Sequence, residues 1–222
     1  MKKTSAALFL LTICAALFAQ IDKEQLALDV SNSESANTEQ LKAFIWKRYS
    51  TATVDGEVKA TVITEFKFDE NGELKATQVG GESNVKKKPG IRGRIQENAI
   101  ENNVDYISSA LELAVSYTFM SKGQLLDFVE KGNVTEKGNA YEISAGNVYK
   151  EGDKLTVLVD KETKLFINKK FESMLDEDPI DGELKYGTFS SGISHGTTTV
   201  LNLPGKNAII NAENKDYSQR IQ

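Results

Sequence analysis

Apolar and polar positions alternate most regularly between Glu57 and Phe68, with Val58, Ala60, Val62, Thr64, Phe66 and Phe68 on one side and Glu57, Lys59, Thr61, Ile63, Glu65 and Lys67 on the other. A period of two predicts a strand with one dry face. Asp55-Gly56 before it and Asn71-Gly72 after it are hairpin dipeptides, so segments 45–53 and 73–79 are expected to pair with it as an antiparallel meander. From about Arg92 the period lengthens. Ile91, Ile95, Ala99, Ile100, Val104, Ile107, Leu111, Ala114 and Thr118 recur at helical spacing, which predicts a long amphipathic helix, followed by a shorter one over 124–130. Beyond Gly132, extended segments are expected near 139–145, 154–160, 164–171, 183–190, 197–203 and 207–216. Turn-forming runs such as Glu151-Gly152-Asp153, Asp181-Gly182 and Pro204-Gly205-Lys206 separate them. Strands, then helices, then strands, with no β-α-β alternation, make the fold class α+β. The architecture expected is a large curved antiparallel sheet, a half-barrel, covered by one long and one or two short helices.

The start of the chain has a separate role. Lys2 and Lys3 precede an apolar run from Ala6 to Phe18 and a small residue, Ala19, the pattern of a signal peptide cleaved after Ala19. The protein is therefore expected to be exported, to the periplasm or the outside of a bacterium. No later apolar run approaches the roughly 20 residues of a membrane span. Residues 20–37 read as a polar, partly flexible lead with a short helix over 23–30, and 38–222 as a single domain. Cys14 is the only cysteine and lies in the leader, so disulfides and thiolate chemistry are not expected in the exported chain.

Composition narrows the chemistry. Against 27 Lys and Arg stand 32 Asp and Glu, a net charge of −5, which disfavours nucleic acid as a partner. Gly192-Ile193-Ser194-His195-Gly196 matches the G-x-S-x-G pattern of hydrolases, but the strand-like Thr197 to Val200 follows where a helix is required. His195 is also the only histidine and is adjacent to the serine it would serve. A glycine- and serine-rich hairpin loop is the favoured reading, and a serine hydrolase the remote alternative. A single histidine also disfavours a catalytic zinc site, and neither cofactor nor catalytic residue is expected. Asp176, Glu177, Asp178, Asp181 and Glu183 form an acidic cluster whose spacing departs from the calcium-loop pattern at Ile180. It reads as a solvated turn, with weak extracellular calcium as the other possibility. Lys86, Lys87, Lys88, Arg92 and Arg94 are candidate anion-binding residues where the long helix is expected to begin; the competing reading is a solvated loop.

Asp160-Lys161-Glu162-Thr163-Lys164-Leu165 resembles the Asp-x-x-Thr hairpin of the LolA/LolB-like superfamily of bacterial envelope proteins. The strands through Phe189, Thr199 to Leu201, Ile209, Ile210 and Tyr217 are similar as well. Ile45-Trp46-Lys47, Asp69-Glu70-Asn71-Gly72 and the basic stretch from Lys86 resemble, over most of the chain, a group of exported bacterial proteins that carry no established activity. The LolA likeness implies a half-open antiparallel barrel with helices over an apolar cavity, and a lipid or lipoprotein acyl chain as partner. No motif carries that family's cavity contacts across residue by residue, and the polar lead is a departure.

A curved sheet under a helix either fills its interior or leaves a ligand cavity. The candidates to line it are Val62, Phe66, Phe68, Leu155, Val157, Ile167 and Phe171 from strands, with Ile107 and Leu111 from the helix. The expected function is a non-enzymatic exported binding protein for a lipid, acyl chain or other apolar group. The alternative is an envelope interaction protein with a filled core, contacting a protein or anionic polymer through its basic loop.

Overall fold

The computed structural model describes residues 21–83, 106–107 and 109–220. Helix α1 (Lys23–Leu41) is followed by strands β1 (Phe44–Val54), β2 (Glu57–Phe68) and β3 (Leu74–Ser83). Residues 106–107 and 109–118 are helical (α2), and α3 (Lys122–Lys131) follows. The chain then runs through β4 (Asn133–Lys137), β5 (Ala140–Gly146), β6 (Lys154–Asp160), β7 (Phe166–Leu175), β8 (Asp178–Thr188), β9 (Ser194–Leu203) and β10 (Ala208–Gln219).

All ten strands form one antiparallel sheet in the order β3-β2-β1-β10-β9-β8-β7-β6-β5-β4. The last strand returns to pair with the first, while β3 and β4 remain the two edges: an up-and-down barrel left open along one seam, with the helices on its concave side. Register shifts interrupt the β1–β10, β1–β2, β2–β3, β6–β7 and β8–β9 ladders. Each inserts a residue that bends and twists its strand, and together they curve the sheet.

Turn chemistry follows the sequence closely. Asp55 and Gly56 both adopt positive φ, 53° and 77°, as a two-residue hairpin requires. The Asp160 carboxylate accepts from the backbone N–H groups of Glu162 and Thr163 and from the Thr163 hydroxyl. These bonds hold the carboxyl below its usual range and fix the β6–β7 hairpin. Helix α3 begins two residues earlier than periodicity suggests, because Ser121 and Gln124 form a reciprocal capping box that carries Lys122 and Gly123 into the first turn.

Three expectations are corrected. Residues 23–41 are one continuous helix rather than a short helix and a loose segment. Asp22 caps it by accepting from Gln25 N at 3.0 Å. Its buried stripe is Leu26, Ala27, Val30, Ser31, Glu34, Asn37 and Leu41, helical in spacing but polar in its second half. Asp181-Gly182 lies within β8 and is not a turn; the β7–β8 turn falls at Asp176, where φ is 54°. A Cβ on Gly182 would sit 2.2 Å from Phe171 Cε1 and 2.9 Å from a Leu201 methyl, so the glycine admits an aromatic ring against the strand. Finally, Asn133–Lys137 is an edge strand that polarity concealed.

The apolar interior is divided in two. The larger core packs Leu26, Ala27 and Val30 of α1, Ala110, Ala114 and Tyr117 of α2 and Leu125, Phe128 and Val129 of α3 onto strands β5 to β10. A smaller aromatic core, Trp46, Phe66 and Phe68, is backed by Leu74, Phe119 and Tyr217. Among the described residues no helix is long and apolar enough to cross a membrane.

Gly182→Ala is expected to lower stability by about 2 kcal/mol or more, since neither Phe171 nor Leu201 can retreat within a packed core. Urea unfolding measures this, and a loss below about 0.5 kcal/mol would show that the ring does not need the space. Asp160→Ala removes three hairpin bonds and is expected to cost about 1–2 kcal/mol in the same assay.

Candidate functional site

Between the two cores lies a cavity of about 300 Å³. Its walls come from α1 (Glu34, Asn37, Thr38, Leu41), the last residue of α2 (Thr118) and the residues joining it to α3 (Phe119 to Ser121), and inward positions of β1, β2, β7, β8, β9 and β10. Bulges shape it. Asp216, at φ 54°, is inserted opposite Trp46 and turns Tyr217 toward the cavity. The β8–β9 register shift falls between Lys185 and Tyr186, next to Gly196, and the β6–β7 shift falls at Phe166. Five lining residues, Trp46, Tyr217, Tyr186, Gly196 and Phe166, therefore sit beside or opposite bulges, a device that re-aims side chains at the rims of barrels and next to sites.

One wall is aromatic. Trp46 stacks on Tyr217 with centroids 5.6 Å apart, and Phe68 meets Phe119 edge-on at 5.9 Å. The His195 ring lies on Phe189 at 3.8 Å and meets Tyr217 at 4.8 Å. Burial lowers the His195 pKa, which favours the neutral imidazole. Leu41, Leu74, Met120 and Leu125 complete the apolar lining.

The polar wall is held by paired bonds. Asn37 Nδ2 donates to Ser194 O at 2.9 Å and Asn37 Oδ1 accepts from Ser194 N at 2.7 Å, so α1 grips the start of β9 as a neighbouring strand would. Glu34 Oε1 accepts from Phe166 N at 2.7 Å. Lys169 is fully buried and donates to Tyr117 O and Thr118 O at 3.1 and 3.0 Å, the carbonyls at the C-terminal end of α2, where the helix dipole favours a cation. Its ammonium also stands 3.9 Å over the Phe166 ring. Desolvation pushes the Glu34 pKa up against the pull of Lys169, and pushes that of Lys169 down against the pull of Glu34.

Arg48 is different. It occupies the inward register of β1 with Trp46, Ser50 and Ala52 and is 5% exposed. Its Nε donates to Asn214 Oδ1 across the β1–β10 ladder at 3.0 Å. Asn214 in turn donates to Gly196 O at 3.1 Å, as does the Tyr217 hydroxyl at 2.7 Å. The guanidinium lies 4.6 Å over the Phe66 ring. Among the described residues no carboxylate pairs with it; the ionisable groups facing it are the Tyr217 and Tyr186 phenols. Burial accordingly lowers its pKa to about 10.

Most residues selected from the sequence for apolarity lie elsewhere. Of the nine cavity candidates, Phe68 lines it, and Phe66 lies behind Arg48 in the aromatic core. Leu155, Val157 and Phe171 are fully packed in the larger core, and Ile107 and Leu111 lie against it. Val62 is half-buried and away from the cavity. Ile167 is corrected outright: strict alternation from Phe171 would turn it inward, but the β6–β7 ladder skips it, Phe166 takes the inward place and Ile167 is 41% exposed. The basic candidates Lys86, Lys87, Lys88, Arg92 and Arg94 lie outside the described residues. Ser194 is buried with its backbone clamped by Asn37, and the ring of His195 is held among Phe189 and Tyr217. In the acidic cluster, Asp178 faces Lys206, Asp181 accepts from Asn202 and Glu183 from Asn168, so these carboxylates serve separate neighbours. Sequence reasoning passed over Arg48, Glu34, Asn37 and Lys169. Their signal was phase, since each is a polar residue spaced in register with a buried stripe.

No family model and no curated protein matches the chain. Among solved structures, it is similar to a DUF1329 family protein from Desulfovibrio piger, with 11% identity over 90% of this chain and 94% of that one and a TM-score of 0.42. A domain from Vibrio parahaemolyticus named for outer membrane lipoprotein sorting shares 10% identity over 87% and 92%, with a TM-score of 0.43. A LolA superfamily protein from Nitrosomonas europaea shares 7% over 85% and 94%, with a TM-score of 0.33. No residue of the cavity is assigned from them.

The raised Glu34 pKa has a sign that can be checked. Folded Glu34 holds its proton more tightly than the unfolded side chain, so its contribution is full below about pH 4.5 and is lost as pH rises through the raised value. The depressed carboxylates of Asp69, Asp160 and Glu183 act in the opposite sense and at lower pH. Glu34→Gln keeps an acceptor for Phe166 N and abolishes the titration. The wild-type stability, taken relative to Glu34→Gln, is expected to fall by about 1–3 kcal/mol between pH 4.5 and 7.5. Urea unfolding at both pH values measures it, and a difference that stays flat would mean that Glu34 titrates normally.

Proposed function

We propose that the protein is an exported, non-enzymatic binding protein that holds a small apolar or amphipathic molecule in the cavity between its two cores. The observation that carries this reading is the division of the interior. A filled half-barrel would join Trp46, Phe66 and Phe68 to the larger core, whereas here an aromatic-walled space of about 300 Å³ separates them. Small-molecule sites occupy about 300–1,000 Å³ and combine apolar walls with a few placed polar groups. This cavity has that make-up and stands at the small end of the range. A single short acyl chain or an aromatic ring system fits such a volume better than a complete lipid. Export is supported by the leader-like pattern from Lys2 to Ala19.

The chain purified from a bacterial periplasm without detergent, analysed by native mass spectrometry and solvent extraction, is expected to carry an apolar molecule or to accept one at a ratio near one to one. Trp46 is the only tryptophan and lines the cavity, so its emission reports occupancy directly. An apo mass, joined to Trp46 emission unchanged by saturating apolar probes, would sink the reading.

A further inference from the structure

The polar atoms of the cavity wall are unequally supplied. The one carboxylate among its described lining residues, Glu34, is engaged by Phe166 N and opposed by Lys169. The side-chain amides of Asn37 and Asn214 are bound on both their oxygen and their nitrogen. On the donor side, Arg48 gives only Nε to Asn214. Trp46 Nε1 and the Tyr186 hydroxyl are buried without a hydrogen-bond partner. Arg48 and Trp46 are 5% and 2% exposed, so little of either side chain is open to bulk solvent. Buried polar groups are normally paired, and a buried guanidinium without a counter-charge is costly. Three unmatched donor groups, one of them charged, thus belong to residues that line one space, together with His195, whose Nδ1 is also buried without a partner.

We infer that the cavity takes the carboxylate of a small amphipathic acid, with the Arg48 guanidinium as its counter-charge and Trp46 Nε1 and the Tyr186 hydroxyl as further donors. This rests on the proposed binding function and adds the class of ligand. The charge sets the valence: Arg48 is the one lysine or arginine among the described lining residues, and a monoanion neutralises it where a dianion would carry a second charge inward. The guanidinium fork suits a carboxylate, presenting parallel N–H groups to its two oxygens. The apolar body of the acid lies among Leu41, Leu74, Phe119, Met120 and Leu125.

The test compares acids with their neutral counterparts on the full chain, by calorimetry and Trp46 emission. The probes are decanoate against decanol, and 1-naphthoate against 1-naphthol; the two pairs separate an aliphatic source of the carboxylate from an aromatic one. At least one acid is expected to bind at least about tenfold more tightly than its alcohol, because an unanswered buried donor set rejects a ligand that cannot fill it. Arg48→Met is expected to lower the affinity for that acid at least about tenfold while leaving the alcohol within about twofold. Equal affinities for acid and alcohol, or a preference that survives Arg48→Met, overturn the assignment while leaving a binding cavity in place. Binding of none of the four overturns the binding function itself, and the assignment with it. A measurement on the wild-type chain covers the case in which Arg48→Met does not fold. The carboxyl carbon of labelled bound decanoate or naphthoate, followed by NMR, is expected to titrate at least about one pH unit lower than in the free acid. A bound carboxyl that titrates at its free value or higher sits in an apolar pocket without a counter-charge and overturns the proposal.

Discussion

The placement of helices α1 and α2 depends on the Lys169 ammonium. It is fully buried on β7, yet each of its interactions serves the architecture: two carbonyls at the end of α2, the face of the Phe166 ring, and the charge of Glu34 on α1. A charge taken from water costs several kcal/mol unless geometry restores what hydration supplied. Here the restoring groups come from three different elements. Neither helix can slide along the sheet without stranding an ion in a medium of low polarity, so a weakly amphipathic α1 whose buried face carries Ser31, Glu34 and Asn37 still has one position. The Asn37–Ser194 clamp then ties the far end of that helix to β9.

The comparison of Lys169 with Arg48 separates structure from site. Both are cations on inward strand positions and both are almost wholly buried. Lys169 is answered by an opposing carboxylate and by carbonyl oxygens; Arg48 is answered by one amide oxygen and two aromatic neighbours, Phe66 and Tyr217. Burial alone would therefore misclassify them. What distinguishes a structural ion from one held ready for something else is the count of its satisfied partners, and on that count Lys169 is complete and Arg48 is not.

The fold was legible wherever one physical signal dominated. The β2 strand, the Asp55-Gly56 turn and the 154–160 strand emerge with the expected boundaries because periodicity and turn chemistry agree there, although the dry face expected of β2 is realised only at Phe66 and Phe68, Val58 being exposed and residues 59–65 half-buried throughout. Where tertiary contacts override local pattern, the sequence misleads. Gly182 looks like a turn but makes room for Phe171; residues 31–37 look like a linker because the buried side of the helix is polar; Ile167 looks inward because a bulge is invisible to strict alternation. The cavity was hidden for a related reason. Selecting apolar residues finds packed core, and the walls of this site are set by Arg48, Asn37, Asn214, Tyr186 and Tyr217, whose meaning lies in what they face. A charged residue in phase with a buried register is the sequence signal that would have found it.

Strand β1 carries the transition within one register. Its inward positions run from Trp46 through Arg48 and Ser50 to Ala52, from an aromatic wall, through a charge and a hydroxyl, to ordinary core. An aliphatic side chain at the second and third of these positions would continue the larger core toward Trp46 and close the gap between the two cores. Such a change would bury more apolar surface and remove an unpaired ion, and both effects favour folding. The chain instead keeps a cation and a hydroxyl at these buried positions. Departures from the most stable choice concentrate where selection acts on something other than folding. The interior of β1 is therefore one strand with two environments: a core at its C-terminal half, and at its N-terminal half a polar, aromatic-walled surface turned inward, which is what the proposed binding function requires.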